Sequence, residues 1–365
     1  MTILIIGSKI SNPYLGPSTV LSNTLKGFLK IQKELEKYGV KITFLSLNDN
    51  INKKFSKYIR VISYRTYPPI TFTGELQAVV NKPKETFDIV HAHGIYDLFP
   101  YVFSNTPTIF TLHGIFWKEI FFKSKLYSKL YLKLGELRLR FYYPKITRFV
   151  AISPYVIEEL EAMGFDIKKA VVIENPVSDE FFEIEKEQDD MILYPAALKA
   201  IKNQLGFLKA FASVKNELKG YKLVFAGSGD SGYYATLRHF AEKHGLNAAF
   251  LGKVPYKEMV RLYSRASFVA LTSFQETLPM AALESLASGT PVLASRVGGL
   301  PYVIEDNING LLVNPFNHRE IAEKIIALTD KSLREKLAAN AKRTAEKYRS
   351  DVVAKKLLEL YLSCG

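Results

Sequence analysis

The sequence predicts an α/β protein made of two doubly wound domains, each built on a mostly parallel sheet. Short continuous apolar runs recur along the whole chain and alternate with segments of helical periodicity, which is typical of parallel sheets covered by helices on both faces. The length of 365 residues exceeds one ordinary core and suits two domains. Hydrophobic residues make up 48% of the chain, which is enough to fill both cores.

In the first half, predicted strands alternate with helical segments. One helical pattern runs from about Ser18 to Tyr38, with apolar residues on one face, and Gly39 is a suitable helix stop. Short apolar runs joined by such helices favour parallel pairing, because parallel strands need a long crossover. The predicted strands of this half occupy residues 3–6, 41–47, 87–93, 107–113 and 148–153.

The second half repeats this pattern, with strands predicted at residues 191–197, 221–227, 248–252, 268–273, 291–295 and 310–313. An acidic stretch, residues 178–190, is interpreted as a linker. We therefore predict an N-terminal domain over residues 1–178 and a C-terminal domain over residues 190–345, facing each other across a cleft. The last residues, 346–365, are predicted to form a helix that packs back toward the N-terminal domain.

The chain is basic, and its formal charge of +13 is concentrated in the first half. Residues 1–178 carry 24 Lys and Arg against 14 Asp and Glu, whereas residues 179–365 carry 25 against 22. An acidic partner is therefore expected at the first half. Nucleotides, phosphates, nucleic acid and anionic lipid all fit this charge.

The expected compartment is the cytoplasm. The single cysteine, Cys364, allows no disulfide within the chain, which favours a reducing environment. The first residues enter an apolar run without a basic flank, which is typical of a core strand and not of a signal peptide. No stretch approaches the roughly 20 apolar residues that span a bilayer. Contact with the inner face of the membrane remains compatible with these observations.

The loop after the first strand, residues 7–20, is a candidate phosphate site. It lacks the G-x-G-x-x-G spacing of the dinucleotide fingerprint. Gly16, Pro17 and Ser18 open the following helix, and a helix N-terminus offers N–H groups to a phosphate. A plain loop with a Pro/Ser helix start explains the same residues equally well.

Three of the six histidines, His91, His93 and His113, lie at the ends of predicted strands in the motifs HAHG and TLHG. A zinc site is the first alternative, but no helical i, i+4 pair and no nearby acidic or cysteine partner supports it. We favour one histidine that donates a hydrogen bond to a ligand oxygen. His113 is the candidate, because the glycine after it lets a ligand approach the backbone closely. His91 and His93 are interpreted as structural.

Two loops of the second half are weaker candidates. The motif AGSGDSG, residues 226–232, contains Gly227 and Ser228 and either cradles a nucleotide or simply turns the chain. The motif LKAIKN places Lys199 and Lys202 after a strand, where they either neutralise a diphosphate or begin a solvated helix. Neither motif alone decides between its two interpretations.

The sharpest motif is QETLPMAALESLASGTPV, residues 275–292, in which Glu276 and Glu284 stand eight positions apart. Pro279 suits the first turn of a helix, and Gly289 suits its end. Glu276 is then a loop carboxylate at the positive end of this helix, and Glu284 lies within it. Backbone amides after Glu276 would hold an anion while the carboxylates accept from hydroxyls. The plainer alternative is a capping charge and an exposed helix residue.

Taken together, these motifs resemble the family 4 (group 1) glycosyltransferases of the GT-B architecture, which has two Rossmann-like domains. The matching segments in the second half include VFAGSGD, FLGKVP, the E-x7-E motif, LASGTPVLAS, VGGLPYVI and NGLLVNP. The motifs HAHG, TLHG and AISPYVIEEL match more loosely in the first half. The resemblance covers nearly the whole chain, and the E-x7-E block with its flanks is its most specific part.

This resemblance implies a nucleotide-sugar donor, UDP- or GDP-linked, held mainly by the C-terminal domain, and no further cofactor. Glu284 would accept from the ribose hydroxyls, Glu276 would lie by the donor sugar, and His113 would be the N-domain histidine beside it. Lys202 would neutralise the diphosphate. The other positions that match donor contacts are Gly16, Gly227, Ser228, Val254, Thr277 and Leu278.

The resemblance also implies a retaining hexosyltransferase that needs no metal. The chain lacks the D-x-D pair of metal-dependent transferases, so lysine and a helix N-terminus would stabilise the departing diphosphate. The acceptor would be a glycan or a lipid-linked glycan. A sugar-nucleotide epimerase on the same fold is one alternative. A weakly active nucleotide-sugar-binding protein is another, because Ala196-Ala197 stands where the family usually has Gly-Arg.

A basic, aromatic segment, residues 116–148, carries nine Lys and Arg against two Glu. At 100° per residue, its leucines form an apolar stripe with tyrosines and lysines at the margins. Such a helix suits the interface of an anionic membrane, and the alternative is that the stripe packs on the sheet. No groove-reading motif is present, so nucleic acid is not an expected partner. The stripe consists of Leu126, Leu130, Leu134, Leu137 and Phe141.

Overall fold

A computed structural model describes residues 1–7, 10, 16–47, 49, 52–64, 73–122, 126–187 and 189–365. The described chain divides into two compact units. The first consists of Met1–Pro176 together with Tyr348–Gly365, and the second consists of Val177–Lys347. Within these ranges, no helix combines the length and the apolar character that crossing a bilayer requires.

The first unit is built on one sheet. Its strands are β1 Thr2–Gly7, β2 Lys41–Leu47, β3 Lys53–Lys54, β4 Ile59–Tyr64, β5 Ile89–Ala92, β6 Thr108–Leu112, β7 Arg148–Ala151 and β8 Ala170–Val172. Its helices are α1 Gly16–Lys30, α2 Gln32–Tyr38, α3 Thr73–Val80, α4 Phe116–Glu119, α5 Leu126–Tyr142 and α6 Pro154–Ala162, with α14 Ser350–Leu362 from the end of the chain. The strand order is β3-β4-β2-β1-β5-β6-β7-β8, and pairing is parallel except between β3 and β4 at the edge.

The second unit is built on a second sheet, which is parallel throughout its described pairs. Its strands are β9 Met191–Tyr194, β10 Lys222–Ala226, β11 Ala248–Gly252, β12 Phe268–Leu271, β13 Val292–Ser295 and β14 Leu311–Val313. Its helices are α7 Asp179–Phe182, α8 Gln204–Ser213, α9 Ser231–Lys243, α10 Tyr256–Arg265, α11 Met280–Ala287, α12 His318–Ala327 and α13 Lys331–Ala345. The strand order is β11-β10-β9-β12-β13-β14.

The two parallel sheets confirm the predicted fold class, and every strand predicted from the sequence is present. Three further strands, β3, β4 and β8, were not predicted. In β4 the buried residues Ile59 and Val61 alternate with less buried ones, so the segment lacks the continuous apolar run of a central strand. β8 has only three residues, all half-buried, because it lies at the edge of the sheet.

Each sheet has a point where the strand order reverses, and this point positions the candidate site residues. The reversal lies between β1 and β5 in the first sheet and between β9 and β12 in the second. Ligands of doubly wound sheets bind beyond the carboxyl ends of the strands at this position. Lys202 follows β9 and Glu276 follows β12, so both lie at the reversal of the second sheet. In the first sheet, His93 follows β5 in the same way.

The helix predicted from about Ser18 to Tyr38 is present as two helices. The break falls at Ile31, between α1 and α2. Gly39 ends α2 with φ 63°, a left-handed conformation, and its amide donates to the carbonyl of Glu36 at 3.1 Å. Glycine adopts this conformation without the steric cost that a Cβ would bring.

The predicted linker, residues 178–190, belongs to the second unit and contributes to its core. Phe181 of α7 is 1% exposed and Ile184 is 8% exposed. Lys186 extends into the unit, where its Nζ donates to the carbonyls of Tyr263 at 2.6 Å and Ala266 at 3.2 Å, and to Thr290 Oγ1 at 2.9 Å. Burial lowers the pKa of Lys186 to about 7. The acidic composition of this segment therefore gave no sign that Lys186 is largely buried and joins the segment to the second unit.

The C-terminal helix α14 completes the first unit by packing on α1. The rings of Phe28 and Tyr361 stack with centroids 6.2 Å apart, and Val353, Ala354 and Leu357 lie in the same core cluster. Close approach of the two helices requires Gly27, because a Cβ there would lie 2.1 Å from the carbonyl oxygen of Ser350. A backbone atom cannot move aside as a flexible side chain can.

Gly27→Ala should therefore destabilise the first unit. Alanine favours a helix by about 1 kcal/mol over glycine, but overpacking against backbone typically costs about 1–3 kcal/mol, so the net change should be a loss. Urea unfolding followed by circular dichroism measures it. Gly16→Ala in the same helix is the matched control, because a Cβ there meets nothing within 4 Å. Equal or higher stability of Gly27→Ala would contradict this packing.

Candidate functional site

The carboxyl edge of the second sheet is held together by the hydroxyl of Tyr194, the last residue of β9. The hydroxyl accepts from the Thr272 amide at 3.0 Å, lies 3.1 Å from Thr272 Oγ1, and donates to the carbonyl of Lys202. Asn203 strengthens the same junction, since its Nδ2 donates to the carbonyls of Thr272 and Pro315, each at 3.0 Å. The loops after β9 and β12 are thereby fixed to each other.

Lys202 and Glu276 form an ion pair at this junction. Lys202 Nζ donates to Glu276 Oε1 at 2.6 Å, and Ser273 Oγ donates to the same oxygen at 2.7 Å. The Lys202 side chain is 23% exposed and that of Glu276 is 7% exposed, so the pair lies at the edge of the protein interior. The backbone of Glu276 is held as well, because its carbonyl accepts from the Gly299 amide at 3.2 Å. Three strand-to-helix loops therefore meet at Glu276.

Glu276 and Glu284 occupy the loop and the helix that the sequence predicts for them. Helix α11 begins at Met280, and Pro279 precedes it in an extended conformation, with φ −71° and ψ 131°. Pro279 therefore stands one position before the helix, and the prediction that it occupies the first turn was off by that position. Gly289 follows the helix with φ 64°, and its amide donates to the carbonyl of Leu286 at 3.0 Å.

Glu284 lies in a different environment from Glu276. Its carboxylate has no cation nearby among its described contacts, and its Oε2 accepts from the Tyr263 hydroxyl at 3.1 Å. Burial raises the pKa of Glu284 to about 7, and the hydrogen bond from Tyr263 offsets only part of this effect. The carboxyl group of Glu284 therefore holds its proton to a higher pH than an exposed glutamate does.

Backbone packing around Gly227 shapes the loop after β10. A Cβ on Gly227 would lie 2.1 Å from the carbonyl oxygen of Ala196, so only glycine fits against this neighbouring loop. The amide of Leu198 donates to the carbonyl of Ser228 at 3.0 Å, and the Ser228 side chain is exposed. Asp230 then caps α9 by accepting from the Tyr233 amide at 3.0 Å. The loop presents backbone and a serine hydroxyl at the carboxyl edge of the sheet.

The other residues predicted to bind a donor lie on neighbouring loops of the second unit. Leu278 is 5% exposed, so its side chain packs inward and a ligand would contact its backbone. Thr277 is half-buried before α11, and Val254 is half-buried between β11 and α10. The carbonyl of Ala197 accepts from Gln204 Nε2 at 2.9 Å, and Lys199 is exposed nearby in the chain.

The candidate residues of the first unit lie at the carboxyl ends of β1, β5 and β6. Gly16 is the first residue of α1, and space around it is open. Most of the predicted phosphate loop before it, residues 8–9 and 11–15, lies outside the described residues. His91 is buried and uses both ring nitrogens, with Nδ1 2.7 Å from the Tyr361 hydroxyl and Nε2 2.7 Å from Thr111 Oγ1.

His113 pairs with His93. Nε2 of His113 lies 2.7 Å from Nδ1 of His93, and the two rings stack with centroids 5.0 Å apart. Burial lowers the pKa of His113 to about 4 and holds the pKa of His93 well below its usual range. Both rings are therefore neutral at pH 7. Among the described residues, no group of three or more His, Cys, Asp or Glu has the arrangement of a metal site.

Most of the apolar stripe predicted within residues 116–148 faces outward on α5, and Leu134 is half-buried. Leu126 is 81% exposed, Leu130 57% and Phe141 65%. The opposite side of α5 packs inward through Leu132 and Leu139. The alternative that the stripe packs on the sheet is therefore wrong for these residues. Further exposed apolar side chains in this unit include Phe103, Phe121, Tyr127 and Leu137.

Several residues that build the site were not predicted from the sequence. Tyr194, Ser273 and Asn203 hold the loops, and Tyr263 contacts Glu284. A weak signal was present for Tyr194 and Ser273, because polar groups at the ends of buried strands need partners. Nothing in the local sequence identifies which partner each of them meets.

Two family models match the chain and together cover residues 28–344. The model for glycosyl transferases group 1 matches residues 177–344, and the model for glycosyltransferase family 4 matches residues 28–181. The first match covers nearly all of the second unit, including Lys202, Glu276 and Glu284.

Individual relatives agree with these family models. The chain is 37% identical over 180 residues to an uncharacterised glycosyltransferase of Methanocaldococcus jannaschii, covering 48% of this chain and 45% of that protein. It is 31% identical over 232 residues to a Campylobacter jejuni α-1,4-N-acetyl-D-galactosaminyltransferase, covering 60% of this chain and 64% of that protein. The matched region thus spans about half to two thirds of these relatives.

Comparison with solved structures supports the same fold. The crystal structure of Anabaena HepE in complex with UDP and glucose superposes with a TM-score of 0.76 over the full length of both chains. The sequence identity is 17%, so this likeness shows the two-domain GT-B fold class and not a shared substrate.

The raised pKa of Glu284 predicts a pH-dependent stability difference for Glu284→Gln. The folded wild type holds this proton up to about pH 7, whereas an unfolded glutamate releases it near pH 4.3. Wild-type stability should therefore fall relative to the variant as pH rises through this window and level off above it. After allowance for solvent screening, we expect a relative change of about 1–2 kcal/mol.

Urea unfolding at a series of pH values from 4 to 8 measures this difference. Glu335→Gln is the matched control, because it removes a carboxylate that is 60% exposed on α13. The comparison of the two variants separates the effect of burial from that of a changed net charge. A constant difference between Glu284→Gln and wild type over the whole range would contradict the burial of this carboxyl group.

Proposed function

Because the chain belongs to the group 1 glycosyltransferases, we propose that it transfers a sugar from a nucleotide-sugar donor to a glycan or lipid-linked acceptor. The observation that carries this proposal is the junction of loops in the second unit, where the Lys202–Glu276 pair precedes α11 and Glu284 lies within that helix. An ammonium group and a helix N-terminus suit a diphosphate, and carboxylates suit hydroxyls. A nucleotide sugar carries both kinds of group.

Lys202 is proposed to bind the diphosphate while it remains paired with Glu276. An ammonium group has three N–H donors, and one of them is used for Glu276 Oε1. The side chain is 23% exposed, so its other donors are accessible to a ligand. Negative charge develops on the departing diphosphate as the anomeric bond breaks, and a cation already fixed in place stabilises it without reorganisation.

The two glutamates are proposed to bind different hydroxyls of the donor. Both described contacts of the Glu276 carboxylate are made by Oε1, which leaves Oε2 for a hydroxyl of the transferred sugar. Glu284 uses Oε2 for Tyr263, which leaves Oε1 for the ribose. Gly227, Ser228, Val254 and the amides of Thr277 and Leu278 are proposed to complete the donor contacts of this unit. In the first unit, Gly16 is proposed to approach the phosphates and His113 the transferred sugar.

We further propose that transfer retains anomeric configuration and needs no metal. The departing diphosphate would take the proton from the acceptor hydroxyl on the face it leaves, while the new C–O bond forms on that same face. The proton, the leaving group and the bonding electrons are then accounted for without a protein nucleophile. Lys202 and the N-terminus of α11 would balance the diphosphate charge that a metal ion balances in other transferases.

The acceptor is proposed to be lipid-linked and presented at an anionic membrane surface. The name of the Campylobacter relative gives a PP-undecaprenol-linked glycan as its substrate. In the present chain, the exposed face of α5 carries Leu126, Leu130 and Phe141 beside Lys129 and Arg140. An apolar face with basic margins is what binding in the plane of an anionic interface requires.

Nucleotide sugars should stabilise the protein in the absence of metal. At a ligand concentration about 100-fold above Kd, linkage adds about 2.7 kcal/mol, which is a rise in Tm of several degrees for units of this size. A thermal-shift panel of UDP-, GDP- and ADP-sugars with EDTA measures it. Stabilisation by none of them would refute the donor site, and stabilisation without sugar transfer would favour the weakly active binding protein.

Variants of the two glutamates test which part of the donor each carboxylate binds. Glu284→Ala should lose most of the thermal shift, because it removes the proposed ribose contact. Glu276→Ala should keep more of the shift and lose turnover, because its proposed contact is with the transferred sugar. Glu335→Ala on α13 is the matched control for loss of a carboxylate. Wild-type kinetics in both site variants would defeat the assignment.

Exposed leucines of α5 should control membrane binding. We expect the protein to float with vesicles of phosphatidylcholine and phosphatidylglycerol at low salt, and to float less as salt screens the basic residues. The double variant Leu126→Asp, Leu130→Asp should abolish flotation without unfolding, because both side chains are largely exposed.

Phe316→Asp in the second unit is the control for this flotation assay, since Phe316 is 73% exposed and lies outside α5. It should float as the wild type does. Absence of binding to anionic vesicles at any salt concentration would refute the proposed surface. Equal loss of binding in both variants would show that the α5 face is not responsible.

A further inference from the structure

Two His-Gly turns lie side by side at the carboxyl edge of the first sheet. His93-Gly94 follows β5 and His113-Gly114 follows β6. β5 and β6 are parallel neighbours, with Ala92 opposite Phe110, so the imidazoles of His93 and His113 leave the sheet next to each other. Across these two turns, Nδ1 of His93 lies 2.7 Å from Nε2 of His113.

A hydrogen bond between two neutral imidazoles needs one N–H group and one lone pair. Both rings are neutral at pH 7, since burial lowers the pKa of each. Two arrangements therefore exist. Either His93 donates from Nδ1 and His113 carries its own proton on Nδ1, or His113 donates from Nε2 and His93 carries its proton on Nε2.

The outer nitrogen of His93 distinguishes the two arrangements. Nε2 of His93 is buried and has no hydrogen-bond partner among the described residues. If His113 were the donor, this nitrogen would be a buried N–H group without an acceptor. Buried N–H groups without a partner are rarer than acceptors without one. The arrangement in which His93 donates from Nδ1 is therefore favoured, and it leaves His113 with its proton on Nδ1.

The ring of His93 is held in place on its other side by His91. The rings of His91 and His93 stack with centroids 4.7 Å apart, and His91 is itself held by Tyr361 and Thr111. The backbone of His93 is fixed too, because its amide donates to the carbonyl of Ile6 at 2.9 Å. His93 is thus clamped between two rings and presents its Nδ1 in a fixed direction.

We propose that His93 is a positioning residue that holds His113 in the tautomer with the proton on Nδ1. The hydrogen bond that one ring nitrogen makes decides which nitrogen of a neutral histidine carries the proton. In this arrangement His113 presents an N–H donor to a substrate oxygen and not a lone pair. The consequence for turnover rests on the proposed function, in which His113 contacts the transferred sugar. The tautomer itself does not depend on it.

Nitrogen-15 NMR of the full chain tests the tautomer without any substrate. In the wild type, the ring signals of His113 should be those of the Nδ1–H form at pH 7. The variant His93→Phe keeps an aromatic ring in the stack but has no donor. In this variant the ring signals of His113 should no longer be those of the Nδ1–H form alone. In His93→Asn, whose side-chain amide can donate from the position of Nδ1, the Nδ1–H form should be kept. An Nε2–H signal in the wild type would overturn the proposal.

Kinetics with the donor that gives the largest thermal shift form the second part of the test. His93→Phe should lower kcat about 10- to 100-fold, as loss of a partner that orients a functional histidine typically does, with little change in KM for the nucleotide sugar. His93→Asn should recover most of this loss. Equal losses in both variants, at matched Tm, would show a merely structural role and overturn the proposal. A locked tautomer in a protein that turns over no donor would refute the proposed function alone.

Discussion

The ion pair between Lys202 and Glu276 is the interaction on which the arrangement of the second unit's site depends. It joins the loop after β9 to the loop after β12, and so closes the point where the strand order of the sheet reverses. Glu276 is only 7% exposed, so removal of Lys202 would leave its charge with little solvent and without a cation. The hydroxyl of Tyr194 reinforces the same junction. The site is therefore formed before any ligand is present.

The two glutamates show how one sequence motif produces two chemical groups. Glu276 lies beside a cation and a serine hydroxyl, which stabilise its charge. Glu284 is half-buried with only a tyrosine hydroxyl as its described partner, and desolvation raises its pKa to about 7. The two glutamates differ in their surroundings and not in residue type, because desolvation penalises a carboxylate whose charge no cation offsets. The two glutamates of this motif, which look alike in the sequence, therefore have different chemical surroundings in the structure.

The first unit contains a cluster of hydrogen-bonded histidines and, elsewhere, an exposed apolar surface on α5. His91 is hydrogen-bonded to Tyr361 and Thr111, and His93 to His113, whereas Nε2 of His93 has no hydrogen-bond partner among the described residues. Helix α14 from the end of the chain supplies Tyr361. By contrast, α5 exposes leucine and phenylalanine side chains that a stable core would have covered. Contiguous apolar patches that are exposed on a protein surface usually mark an interaction site. Lys129 and Arg140 lie beside these exposed side chains on α5.

By itself the sequence determined 11 of the 14 described strands, the helix end at Gly39, and the position of Glu276 and Glu284 relative to α11, because periodicity and turn chemistry are local. Only the tertiary structure decided that Lys186 is a buried anchor, that α5 faces outward, and which polar atoms meet. Lys202 and Glu276 are 74 positions apart, and Tyr194 and Thr272 are 78 apart. Contacts at such separations depend on strand order and register, which no local pattern of residues encodes.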